Sequence, residues 1–212
     1  MLYNKPEFAP LSRDEVFDLI HRLTFGTLVT NDDDGLIASH LTFLIDRERG
    51  ENGTLISHLA LANDHAALVA EGRESMVIFG GPHGYISSSW YPANPVRDSA
   101  PTWNFAVVHC HGRPVPLSTA ETARHLSELV THLEHGRPDE WRLRELGPGG
   151  MERRLPRILG FDLPIARLEA KFKMGQDERL LDTRAAITKL ASGIDPELAE
   201  MMRRYNAHRD DE

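Results

Sequence analysis

Apolar positions recur along this chain at two periods, near 3.6 residues and near 2. Val16, Leu19, Ile20 and Leu23 lie three and four apart behind Ser12 and Glu15. That spacing predicts an amphipathic helix with a capping box at its start. Phe25 to Thr30, Leu36 to Ile45 and Thr54 to Leu59 read as strands, separated by the polar turns 31–35 and 46–53, in the manner of an antiparallel meander. Asn63 is placed to cap a short helix to about Glu71, with Ala67, Leu68 and Ala70 on its apolar face. The buried run from Ser75 to Phe79 predicts a strand broken by Gly80-Gly81-Pro82 and resumed from Gly84 to Ser88. A proline- and aromatic-rich loop from Ser89 to Pro101 then leads into a long strand, Thr102 to Pro114.

Ser118 and Glu121 form a second capping box, ahead of a helix with Ala123, Leu126, Val130 and Leu133 on one face and Gly136 as its stop. An irregular stretch, helical around Met151 to Ile158, precedes a last strand from Phe161 to Phe172. Two tail helices follow, divided at Gly193 and restarted by Asp195-Pro196. Six or seven strands with inserted helices predict a mostly β chain with helical additions, a small antiparallel barrel. Helices interrupt the strands too rarely for a doubly wound parallel sheet. The expected organisation is a domain over 1–178 and a helical tail over 179–212.

Charge and cysteine content narrow the function classes. The net charge is −8 over 212 residues, with no basic footprint of the kind a DNA-binding domain carries, so direct nucleic-acid binding is disfavoured. A single cysteine, Cys110, excludes an internal disulfide and a zinc site built from cysteines. No secretory leader and no apolar run of spanning length is visible, so the expected compartment is the cytoplasm, with no membrane association.

Candidate chemistry concentrates between Ser57 and Gly112. His58, His65, His83, His109 and His111 lie there with Tyr85, Trp90, Tyr91 and Trp103. Taken singly, each reads more simply as a core or hydrogen-bonded structural residue. Together they suit a flat aromatic ligand or a metal. No G-x-S-x-G elbow, H-E-x-x-H helix or Walker loop is present. Cys110 reads as a buried structural thiol. His109 and His111 share a strand face, which by itself is a weak metal signal.

The stretches His58-Leu-Ala-Leu-Ala-Asn63, Ile78-Phe-Gly-Gly-Pro-His-Gly-Tyr-Ile-Ser-Ser-Ser-Trp-Tyr91 and Pro101-Thr-Trp-Asn-Phe105 resemble the PaiB-like family. So do Phe25-Gly-Thr-Leu-Val-Thr30, Ser39-His40-Leu41, Gly160-Phe161 and Lys171-Phe-Lys-Met-Gly-Gln176. The resemblance covers roughly residues 1–190. It implies a split β-barrel like that of FMN-binding proteins, assembled as a homodimer with its cofactor at the interface. Two functions are implied: an FMN-binding negative transcriptional regulator, or a heme-dependent piperazate synthase that closes an N–N bond in N5-hydroxy-L-ornithine, a small amino-acid substrate. A heme carrier or heme-degrading protein is a third.

Departures from the family pattern tilt the expectation. Thr42 stands where the family commonly has proline, Leu61 where it has arginine, and Gly175 and Asp177 where it has serine and asparagine. An FMN phosphate needs cations and hydroxyl donors; Leu61 removes a possible cation, Gly175 removes a possible hydroxyl and Asp177 adds a negative charge, whereas Thr42 adds a hydroxyl near a candidate cofactor wall. Heme needs an axial histidine and an apolar slot, for which Leu61, Ala62, Phe43 and Met174 are suited. The expected cofactor is therefore heme b, with FMN the alternative. His58 is the expected metal ligand, with His40 and His65 behind it. Thr42 and His65 are the expected catalytic residues, His65 as base, although an exposed position in the first helical turn is its simpler reading. The expected cofactor walls are His40, Leu61, Asn63, Tyr85, Trp90, Tyr91, Thr102, Trp103, Lys173 and Gln176. Arg97, Lys171 and Lys173 are candidates for heme propionates.

Overall fold

The first capping pair forms half of its box. In the computed structural model, which describes residue 3 and residues 5–92 and 99–209, Glu15 N donates to Ser12 Oγ and starts α1 (Arg13–Leu23). The Glu15 carboxylate does not turn back on Ser12. It accepts from Leu11 N at 3.1 Å, from Arg204 at 2.8 Å and from the Tyr205 hydroxyl. Arg97 lies outside the described residues.

The strands are β1 (Phe25–Asp32), β2 (Gly35–Asp46), β3 (Thr54–Ala60), β4 (Ser75–Ile86), β5 (Thr102–Gly112), β6 (Val115–Pro116) and β7 (Ile158–Lys173). They form one sheet in the order β3-β2-β1-β4-β5-β7-β6, and a further β3–β7 pairing returns the first strand to the last long one. The β1–β2, β2–β3 and β3–β7 ladders are antiparallel, with pairs Phe25↔Thr42, Phe43↔Ser57 and Ser57↔Phe161. The helices are α2 (His65–Ala70), α3 (Thr119–Glu134), α4 (Leu180–Lys189) and α5 (Pro196–Asn206). Among the described residues no helix is long and apolar enough to cross a membrane.

Two compact units divide the chain: 1–19 with 80–108 and 169–212, and 20–79 with 109–168. The second unit has a core of Leu28, Phe43, Leu55, Val77, Phe79, Phe161 and Leu163, all buried. Phe43 stands edge-on to Phe79 and to Phe161, with ring centroids 5.6 and 6.4 Å apart. Helix α3 is laid against β7 at Gly160. A Cβ there would fall 2.3 Å from Thr122 Oγ1, and that hydroxyl already donates to Ser118 O. Gly160→Ala should push α3 outward and lower stability by about 1–3 kcal/mol, read as a lower urea midpoint. The buried face of α3 is Thr122, His125 and Leu129. This corrects the expected face, since Leu133 is exposed.

In the first unit β4 runs unbroken through Gly80-Gly81-Pro82, contrary to the expected break. Gly81 and Pro82 are both buried, so the strand's alternation slips by one position, as at a β-bulge. A Cβ on Gly81 would meet Ala106 and Leu19 at 3.1–3.2 Å, which explains why a glycine stands there. The tail is anchored at the end of β7. Asn206 Nδ2 donates to Met174 O and Arg209 Nη1 to Gly175 O. Gly193, at φ +112°, divides the tail, and Asp195 accepts from Leu198 N to start α5.

Candidate functional site

His58 lies on β3 with its ring toward α3. Its Nδ1 is 3.2 Å from Nε2 of His125. The other His125 nitrogen, Nδ1, is buried and has no partner among the described residues. Among the described residues His58 Nε2 makes no hydrogen bond. Burial lowers the pKa of His58 and drives that of His125 down to about 4, with His58 adding to the second effect. Both rings are therefore neutral near pH 7 and share one hydrogen bond. The strand alternation that buries Ser57 and Leu59 turns His58 the other way.

A pH dependence follows from the lowered histidines. The unfolded chain binds their protons below about pH 6.5 and the folded chain does not, so their contribution is complete above that pH and is lost as pH falls toward 4. For His125 the loss between pH 6.5 and 5 is about 2 kcal/mol. Urea midpoints measured on the cofactor-free protein should fall over this range, and less so in His125→Gln.

His65 begins α2 and is fully buried. Its Nδ1 is 3.0 Å from Ser39 Oγ and its Nε2 2.7 Å from Thr30 Oγ1, and Thr30 is in turn 2.6 Å from Ser75 Oγ. Asn63 Nδ2 donates to Ser39 Oγ, and its Oδ1 accepts from His65 N. With both ring nitrogens committed to a satisfied buried network, His65 is a structural residue. This corrects its assignment as an available base and also the expectation of an exposed position. Asn63 braces the same network.

The exposed side of β1 and β2 carries Phe25, His40 and Thr42. Phe25 pairs with Thr42 and Thr27 with His40. His40 stacks on Phe25 at 6.2 Å, and its Nδ1 is 3.0 Å from Thr27 Oγ1. Phe43 and Ser57 are the last paired residues of the β2–β3 ladder. Thr42 precedes one and His58 follows the other, so both leave the ladder on the same side. Thr42 is half-buried, and Leu61 is 51% exposed. Phe43 and Met174 are closed into cores at 1% and 0% exposure, which removes them from the expected heme slot.

The first unit holds a separate group. His83, Tyr85 and Trp103 are exposed. Trp103 Nε1 donates to His83 Nδ1 at 3.3 Å, and the two rings stack. Tyr85 lies tilted against the same indole, centroids 6.3 Å apart. Trp90 is half-buried in a short 3-10 turn, Ser88–Trp90. Tyr91 is buried, and among the described residues its hydroxyl has no partner. Burial, with Glu178, Asp182 and Asp177 nearby, pushes its pKa up to about 12. Tyr91 therefore packs in the core of this unit.

Lys173 donates to Thr102 Oγ1 at 2.5 Å and lies 4.0 Å from Asp177, so its charge is partly spent inside the chain. Gln176 Oε1 accepts from Met174 N and its Nε2 donates to Phe172 O, closing the turn after β7. Cys110 is fully buried, and burial pushes its thiol pKa up, as expected of a structural residue. Sequence reasoning missed His125. The spacing of Thr122, His125 and Leu129 was available, but histidine and threonine do not register as an apolar face.

Over residues 2–167 the sequence matches the family described as "Putative FMN-binding domain". It is 28% identical over 204 residues to the Bacillus subtilis "Protease synthase and sporulation protein PAI 2", spanning 95% of this chain and 96% of that protein. Among solved structures, the FAD and heme binding protein of Mycobacterium smegmatis superposes with a TM-score of 0.57 at 18% identity, over 77% of this chain and 72% of that one. The flavocytochrome Anf3 of Azotobacter vinelandii does so with a TM-score of 0.55 at 16% identity, over 78% and 69%. The fold is thus the split β-barrel of flavin-binding proteins.

Proposed function

The chain belongs to the family described as "Putative FMN-binding domain", and we propose that it binds heme b, which His58 would hold. The His58–His125 pair carries this reading. A ligating imidazole presents one nitrogen to the metal and donates its other N–H to an acceptor that fixes the tautomer. His58 has an acceptor within reach of Nδ1 and no hydrogen bond at Nε2. With its proton on Nδ1 it offers Nε2 as a lone pair, and burial holds both rings neutral. The scaffold suits the group, since one protein of this fold is named for binding both FAD and heme and another is a flavocytochrome.

Bound heme supplies a Lewis-acidic, redox-active iron. The reaction proposed for the site is closure of the N–N bond in N5-hydroxy-L-ornithine. The amine nitrogen bonds to the hydroxylamine nitrogen, the N–O bond breaks, and water leaves to give L-piperazate. Thr42, on the same side of the ladder as His58, would hydrogen-bond the hydroxylamine. With His65 committed, His40 on the adjoining face is the better placed imidazole to take the amine proton. Both nitrogens belong to one molecule, so holding its chain folded supplies much of the acceleration.

Separate titrations with hemin and with FMN test the reading. A Soret band should develop with hemin, and the loaded protein should convert N5-hydroxyornithine to a product lighter by one water. A Soret band without product would leave a heme carrier. FMN binding without a Soret band would support the second reading, an FMN-binding regulator, which the exposed aromatic surface of His83, Trp103 and Tyr85 and the family description favour. A homodimer forms part of the proposal. Phe25 (60% exposed), Leu36 and Leu61 leave apolar surface for a second copy to cover, and sedimentation should give twice the chain mass.

A further inference from the structure

Helix α3 has a second face. Ser127, Val130, Thr131 and Glu134 follow one another at three- and four-residue steps, turned away from the buried Thr122, His125 and Leu129. They line a pocket of about 340 Å³ that is completed by the segment 140–144. Its apolar surface is Trp141, 36% exposed, with the half-buried Val130 and Leu143. Glu134 ends α3, where the helix dipole is already negative, so its carboxylate stands where a cation is favoured. Glu134 Oε2 accepts from Trp141 N at 3.1 Å, which fixes the segment against the helix. Arg137 Nε covers one helix-end carbonyl, Leu133 O, at 2.9 Å. Arg142 reaches Glu140 at 4.0 Å. Among the described residues neither Glu134 nor Arg144 has an ion-pair partner, although both line this pocket.

We propose that this pocket binds a free α-amino acid with an apolar side chain. The carboxylate of such a molecule matches the planar fork of Arg144, which can meet two oxygens at once. Its ammonium answers Glu134 and the negative end of α3. Its side chain packs on the indole of Trp141 and on Val130 and Leu143. A ligand of one charge would leave either Glu134 or Arg144 unanswered. The volume lies at the small end of the range for small-molecule sites, roughly 300–1,000 Å³, and so suits an amino acid better than a flavin or a heme. Because the pocket lies on the face of α3 opposite His125, it stands independently of heme at His58, and His58→Ala should leave it unchanged.

Isothermal titration of the cofactor-free full chain with L-leucine, L-methionine and L-phenylalanine, each singly, tests the proposal. At least one should bind, one molecule per chain, and change the tryptophan emission. Trp141→Phe should keep the heat of binding and lose that emission change. The analogues of whichever binds that lack the amine or the carboxylate (4-methylpentanoate and 3-methylbutylamine for leucine) should bind about 10–100-fold more weakly. Arg144→Gln should weaken binding by a similar factor without moving the urea midpoint, because its guanidinium has no ion pair to lose. Glu134→Gln keeps an oxygen for Trp141 N and should weaken binding as well. No heat from any of the amino acids at about 10 mM would overturn the proposal. So would one-charge analogues that bind as tightly as the amino acid, or an affinity unchanged in both Arg144→Gln and Glu134→Gln.

Discussion

Phe43→Ala should cost about 3–5 kcal/mol of folding stability while leaving cofactor affinity unchanged in the fraction that folds. The ring is 1% exposed and lies edge-on between Phe79 and Phe161. Its own N–H donates to Thr24 O at 2.7 Å, and its Cα partner is Ser57, one residue from His58. Truncation leaves a cavity lined by two fixed rings, which relaxes poorly. Denaturant melts at pH 7 give the stability, and a hemin titration below the transition gives the affinity. The same residue fits an apolar cofactor slot on sequence grounds alone. A variant that folded normally and lost only cofactor binding would return Phe43 to that slot.

His58→Ala should abolish the Soret band that develops on titration with hemin, and should lower stability by about 1–3 kcal/mol, because the buried His125 Nε2 loses its partner. His125→Gln should do less. The ligand remains but its tautomer is no longer held, so affinity should fall by about 10–100-fold, the usual scale for a group that orients a metal-bound histidine. The order of the two variants carries the argument. If His125→Gln matched His58→Ala, His125 would itself be implicated as a ligand. If neither changed the spectrum, the pair would be a purely structural contact between β3 and α3.

Much of the fold was legible in the sequence, for local reasons. The Ser118–Glu121 box forms as spaced, with Ser118 N donating to Glu121 Oε2 and Glu121 N to Ser118 Oγ. The tail division at Gly193 and the restart at Asp195 rest on backbone conformation and one short-range cap, both encoded within a few residues. What escaped was long-range. Glu15 completes a capping pattern on paper, yet it binds Tyr205 and Arg204 from the far end of the chain. Gly80-Gly81-Pro82 reads as a break, but the missing Cβ of Gly81 makes room for Ala106 and the strand continues.

The candidate site shows the same division. The prominence of His58 was visible from its place at the end of a strand. Its partner was not, because His125 lies 67 residues away on a helix whose buried face is Thr122, His125 and Leu129, two of the three polar. His65 appeared equally available in the sequence. Only the meeting of Ser39, Thr30 and Asn63 around it shows that both nitrogens are taken.

The most direct test of the central claim is the visible absorption spectrum of the full chain purified from cells supplied with a heme precursor. A Soret band, absent from His58→Ala prepared in parallel, is the predicted result. Flavin bands with flavin fluorescence, and no Soret band in the unaltered protein, would contradict it.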